Sequence, residues 1–182
     1  LVLLFGGLWL DGVIGRTAAP SWVPGWARSA DGTLPPNVLV FPVLLGLGVL
    51  AARELARILR AKAVEASTVL TCGLAVIGLA VTALTPSNAP GFTGIATAHT
   101  AVGLVLVGSM FAYARGKRTE GLVAAAGGAL LAYAYIGVLL GFLAAIRREQ
   151  SEWVLLWVIV VTKSCDIGAY FTGRAIGKRK LA

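Results

Sequence analysis

The sequence predicts an all-α fold, a polytopic bundle of about six membrane-crossing helices, and three observations point to it. Hydrophobic residues make up 58% of the 182 residues and charged ones 13%, with a mean hydropathy of +0.85, the composition of a membrane protein. Between Glu65 and Arg115 lie 49 residues whose only Asp, Glu, Lys, Arg or His is His99, and no water-soluble surface is built that way. The apolar segments are continuous and do not alternate with the period of a strand, which disfavours a β-barrel.

Charge-free length marks the elements in order: 1–10, 38–52, 67–84, 98–114, 121–146 and 153–171. The first has half the ~20 residues a span requires, so the chain is expected to be a piece cut within its first helix and not one opening on a signal peptide. The second continues past Arg53 as an amphipathic stretch to Lys62, with Leu55, Ile58 and Leu59 between basic side chains, suited to the headgroup level. The third and fourth are separated by 85–94, rich in Pro, Gly, Ser and Asn, a tight uncharged turn. The fifth carries Gly137 and Gly141 in a G-x-x-x-G, with Gly127, Gly128 and three alanines at 124–126, small residues that let helices approach closely in lipid. Short connections make 1–182 a single helical domain. Cys72 and Cys165 lie in apolar runs as small hydrophobes, with no disulfide or metal cluster expected. The lone His99 reads as interfacial, and the five tryptophans as belt anchors.

If the segments alternate across the bilayer, eleven basic residues fall on one side: Arg53, Arg57, Arg60, Lys62, Arg115, Lys117, Arg118, Arg174, Lys178, Arg179 and Lys180. The other side receives Arg16, Arg28, Arg147 and Arg148, balanced by Asp11, Asp31, Glu149 and Glu152. The basic side is therefore expected to face the cytoplasm. The formal charge of +8 needs no nucleic acid to explain it, since it sits in short clusters between apolar runs.

Chemistry concentrates in the last segment, where Thr162, Lys163, Ser164, Cys165 and Asp166 arrive with apolar sequence still to cross. A charged side chain near mid-membrane costs about 2.5–3.5 kcal/mol on the insertion scale, so the pair must be compensated. Lys163 and Asp166 are three apart, on one helical face within salt-bridge reach. Tyr170, Gly173 and Gly177 extend that face into a polar stripe expected to look into the bundle. Mutual neutralisation that locks two helices together is the structural reading; a functional cavity is the other. Arg174, Lys178, Arg179 and Lys180 form a cationic tail beyond it, fit for triphosphate, for anionic headgroups or simply for anchoring. The G-R-A-I-G-K-R stretch is not a P-loop, because Thr172 stands where a glycine is needed and Arg179 where Ser or Thr is needed.

The sixteen residues from Asp166, D-I-G-A-Y-F-T-G-R-A-I-G-K-R-K-L, resemble the D-x-G-A-Y-x-x-G-(R/K)-x-x-G-K-x-(K/R)-L block of phosphatidate cytidylyltransferases. Arg53-Glu54-Leu55 is weakly similar to a glutamate in that family's early helices. The S-P-K-K-T-x-E-G and K-D…P-G-H-G-G…D-R-x-D stretches that follow in family members are not in this sequence, which ends at Ala182. The resemblance implies Mg²⁺-dependent transfer of a cytidylyl group from CTP to phosphatidic acid, giving CDP-diacylglycerol and pyrophosphate, at the cytoplasmic face of a bacterial-type plasma membrane. It implies Asp166 as the metal-site carboxylate and Lys163, Arg174 and Lys178 as phosphate contacts. Tyr170 would contact substrate or simply pack, and Gly168, Gly173 and Gly177 would admit close backbone approach. The 182-residue chain alone is expected to be inactive, with further metal ligands beyond it. Membrane lipids are expected partners, and a second copy of the chain is a candidate one. A transporter or channel gated by Lys163 and Asp166, and a CTP-dependent polyprenol or phytol kinase, are the alternatives.

Overall fold

A computed structural model describes residues 2–21, 23, 32–34, 36–85, 94–115 and 121–176. These residues form six helices and no strand: α1 (Val2–Gly15), α2 (Val40–Ala61), α3 (Thr68–Leu84), α4 (Gly94–Ala114), α5 (Leu122–Glu149) and α6 (Glu152–Ile176). Each predicted apolar segment coincides with one of them, and the all-α class is as the sequence predicts. The turn at 86–93, Trp22, Trp26, Lys117, Arg118, the side chain of His99 and everything from Gly177 onward lie outside the described residues.

The expected number of crossings is corrected. Among the described residues two helices are long and apolar enough to cross a membrane, α5 with 28 residues and α6 with 25. The 17-residue α3 and the Thr100–Ala114 part of α4 are apolar but shorter. α2 reaches 22 residues only by running through Arg53, Glu54, Arg57 and Arg60. Charge-free length records where apolar side chains stop, whereas a helix ends where its hydrogen bonds do, so the two measures part company at almost every terminus.

α3 lies at the centre, against α2, α4 and α5. Leu44 of α2, Leu79 and Ala83 of α3 and Ala144 of α5 make one buried cluster; Ala52, Ala75 and Ile136 make another along the same three helices. The closest approach is between α3 and α5. A Cβ at Gly78 would lie 2.6 Å from the carbonyl oxygen of Tyr133 and 3.1 Å from the Cα of Gly137, and one at Gly141 would lie 2.6 Å from the Cβ of Thr82. The small-residue spacing of the fifth segment therefore acts as predicted, admitting backbone against backbone. At Gly128 an added Cβ would meet the Leu59 side chain of α2 at 2.7 Å, while Gly127 faces open space. At the same contact α5 departs from the α-helix, with a π-helical segment at Ala132–Val138 that buries Tyr133, Ile136 and Gly137.

The helix ends follow from local chemistry. The Ser67 hydroxyl accepts from the Leu70 N–H as the N-cap of α3, and the Ser67 N–H donates to the Tyr113 hydroxyl of α4. α2 stops at a turn in which Ala63 takes a left-handed φ of +60°, letting the Val64 N–H reach the Leu59 carbonyl. Between α1 and α2, Ala18 and Thr33 form an antiparallel bridge.

Candidate active site

α6 carries the predicted site, and its sequence divides it into two unlike halves. Glu152 in the first turn complements the positive end of the helix dipole. Leu155 and Leu156 are buried against Leu8 of α1 and Leu143 and Ile146 of α5. From Val160 to Ile176 every residue is exposed within this chain. The stripe of Lys163, Asp166, Tyr170 and Gly173 thus does not look into the bundle, as expected from sequence, but lies on the open surface of a helix held only by its first turns.

Within that half, Lys163 Nζ lies 3.4 Å from Asp166 Oδ2, the i,i+3 pair that the spacing predicts, with side chains 68% and 66% exposed. At about 100° per residue, Tyr170 and Arg174 fall within roughly 20° of Lys163 around the helix axis, and Asp166 and Gly173 border that line. Gly168, two residues from Asp166, sits on the far face of the helix. A Cβ at Gly168 or Gly173 would meet nothing within 4 Å, so neither glycine is used for close approach here. The Tyr170 ring meets Phe171 edge-on at 5.6 Å and is otherwise exposed. The hydroxyls of Thr162 and Thr172 donate to the carbonyls four residues back, while Lys163, Ser164, Asp166, Tyr170 and Arg174 are among the exposed polar groups of this half. Gly177 and Lys178 lie outside the described residues. No cluster of three or more His, Cys, Asp or Glu able to hold a metal occurs among the described residues.

The other end of α6 holds a buried ionic cluster that sequence reading missed. Asp11 of α1, 1% exposed, accepts at Oδ1 from the backbone N–H groups of Leu39 (2.9 Å) and Val40 (3.4 Å), so a carboxylate from another helix caps the start of α2. Its Oδ2 accepts from Nε of Arg147, 6% exposed, at 2.8 Å. Glu152 lies between two guanidiniums, 2.8 Å from Arg16 and 3.9 Å from Arg147. Asn37, at φ +83°, donates from Nδ2 to the carbonyl of Ala144 at 2.7 Å. Arg148 donates to the carbonyls of Ala83 and Thr85, which the end of α3 leaves unpaired. The one hint in the sequence was the near-neutral charge of this side; partners 136 residues apart are not legible from spacing.

Two of the described helices are thus long and apolar enough to cross a membrane, and one of them, α6, carries a lysine, a carboxylate, a phenol and an arginine on its exposed half. The cytidylyltransferase family model matches residues 33–182, and the chain belongs to that family, the phosphatidate cytidylyltransferases. The match covers α2 to α6 and the residues after Ile176. Neither curated proteins nor solved structures gave a match.

Proposed function

We propose that this protein transfers a cytidylyl group from CTP to phosphatidic acid within a multi-pass membrane bundle, with α6 bearing the reacting groups on its cytoplasmic half. Family membership carries the use of CTP. The observation that carries the site is the line of Lys163, Tyr170 and Arg174 beside Asp166. It places two cations and a carboxylate along about 16 Å of one helix face, by the 1.5 Å rise per residue. In the reaction a phosphate oxygen of the lipid attacks the α-phosphorus of CTP, and the bond to the bridging oxygen of the β-phosphate breaks to release pyrophosphate. Negative charge concentrates on three phosphoryl groups, and preorganised cations are what lower such a barrier.

Lys163 and Arg174 are assigned to phosphate oxygens, with Lys178 beyond them, and Tyr170 to a hydrogen bond on the substrate. Asp166 is the donor for a divalent cation. A single carboxylate fits Mg²⁺, which is commonly held by one or two carboxylates and completed by substrate phosphates and water. When bound, that ion neutralises charge on the nucleotide phosphates. Asp166 would exchange its contact with Lys163 for the ion, freeing the ammonium for phosphate. The exposed apolar residues of α6, among them Trp157 (71%) and Phe171 (62%), favour a lipid surrounding for this helix.

Membranes carrying the full-length protein, incubated with CTP labelled in the cytidine ring or in the γ-phosphate, test the assignment. Cytidine label in a lipid product is expected. Transfer of γ-label would show a lipid kinase, and label in neither would favour a transporter. Asp166→Asn is expected to lower cytidylyl transfer at least about 100-fold, in the range seen when a transition-state electrostatic contact is removed.

A further inference from the structure

The buried ionic cluster and the exposed half of α6 are connected through one residue. Among the contacts that fix α6 to the rest of the described chain are Leu155 and Leu156, with Ile159 packed against them, and the Glu152 carboxylate between Arg16 and Arg147. That carboxylate rests on Gly12 of α1, where an added Cβ would lie 2.8 Å from it. Arg147 cannot follow a movement of α6, because its Nε is held by the buried Asp11, which is in turn held by the start of α2. From Val160 to Ile176 α6 has no burial to steer it. The direction of the helix is therefore set within its first two turns, by a charged clasp tied to α1, α2 and α5.

We propose that Glu152 is a positioning residue: clasped by Arg16 and Arg147 above Gly12, it sets the direction of α6 and so the place of Lys163 and Asp166. The catalytic half of this statement rests on the assignment of those two residues made above. The geometry is that of a lever. Lys163 and Asp166 lie about 16 and 21 Å along the axis from Glu152, so a 10° change of tilt displaces Asp166 by about 3 to 4 Å. A misplacement of about 1 Å can cost on the order of 100-fold in rate. Arg16 and Arg147 approach Glu152 from different elements, so losing either charge contact leaves the carboxylate biased to one side. Gly12 admits the carboxylate to that position, and any side chain there would push it out without removing a charge.

Two variants disturb the clasp by independent routes: Glu152→Gln removes the charge and keeps the shape, and Gly12→Ala keeps every charge and displaces the carboxylate. Glu152→Asp, one methylene shorter with its charge intact, is the milder third. The full-length protein in nanodiscs, with Cys72→Ala and Val69→Cys, takes spin labels at the exposed Cys165 of α6 and at position 69 of α3; kinetics are read on unlabelled protein. The parent is expected to show one narrow interlabel distance. Glu152→Gln and Gly12→Ala are expected to broaden or shift it by about 3 Å or more. Their kcat should fall about 10-fold or more, KM for CTP should change less than about 3-fold, and Glu152→Asp should fall between. An unchanged distance in folded Glu152→Gln and Gly12→Ala overturns the proposal, as does a shifted distance with kcat unchanged. If distances shift as expected while the parent itself transfers no cytidylyl group, the clasp stands and the assignment of Lys163 and Asp166 fails.

Discussion

Alanine at Gly78 should destabilise the bundle, whereas alanine at Gly73, on the same helix, should not. The methyl group added at Gly78 would sit 2.6 Å from the Tyr133 carbonyl oxygen, well inside the 3.4 Å at which ordinary contact begins, and 3.1 Å from the Gly137 Cα. Both opposing atoms are backbone, so no rotamer change relieves the overlap; α3 and α5 must separate by several tenths of an ångström along their most intimate contact. Overpacking of this kind typically costs about 1–3 kcal/mol, and the helix-propensity gain of alanine over glycine returns up to ~1 kcal/mol. A net loss of about 1–2 kcal/mol is expected for Gly78→Ala. Gly73 has nothing within 4 Å of an added Cβ, so Gly73→Ala keeps the propensity gain alone. Unfolding of each variant by increasing SDS in mixed micelles, followed by circular dichroism, reads the difference. If Gly78→Ala proves as stable as Gly73→Ala, the close approach of α3 to α5 is wrong.

Three further outcomes follow from the helix ends and the ionic cluster, each read in the same assay. Ala63→Gly should raise stability by about 0.5–1 kcal/mol, since a left-handed φ of +60° strains an L-residue and not glycine. Arg148→Met should cost about 1.5–3 kcal/mol by stripping charged donors from the carbonyls of Ala83 and Thr85 while keeping the aliphatic stem. Asp11→Ala should cost about 3–5 kcal/mol, because Arg147 would stay buried without its carboxylate. Arg147→Met combined with Asp11→Ala should recover part of that loss, and a double variant weaker than Asp11→Ala alone would show that the pair is not buried as described.

Much of the architecture was legible because apolar runs and helices share a cause: a segment without charge here is a segment that buries its backbone in hydrogen bonds. The G-x-x-x-G of α5 announced its contact, and Lys163 and Asp166 their pairing, since both depend on local spacing alone. What local spacing cannot hold is the orientation of a helix about its neighbours. The stripe on α6 was expected to face inward because intramembrane charge usually does, yet only Leu155 and Leu156 of that helix are buried. The same limit hid the cluster of Asp11, Arg147 and Glu152, which closes over more than 130 residues of chain. Crossing number was overread for a third reason: six apolar runs do not imply six helices of spanning length.

The π-helical segment in α5 has a consequence for how this chain tolerates length changes. A wide turn of this kind accommodates a surplus residue, and each residue added or removed in an ordinary helix turns everything downstream by about 100°. Removing one residue from Ala132–Val138 would let the segment relax to α geometry with Gly141 still on Thr82 and Arg147 still on Asp11, whereas removing one from the regular turns between Gly141 and Arg147 would turn Arg147 off Asp11. The irregular turn thus acts as a length buffer: it can give up a residue where the regular turns between Gly141 and Arg147, which aim one side at α3 and the other at α1, cannot.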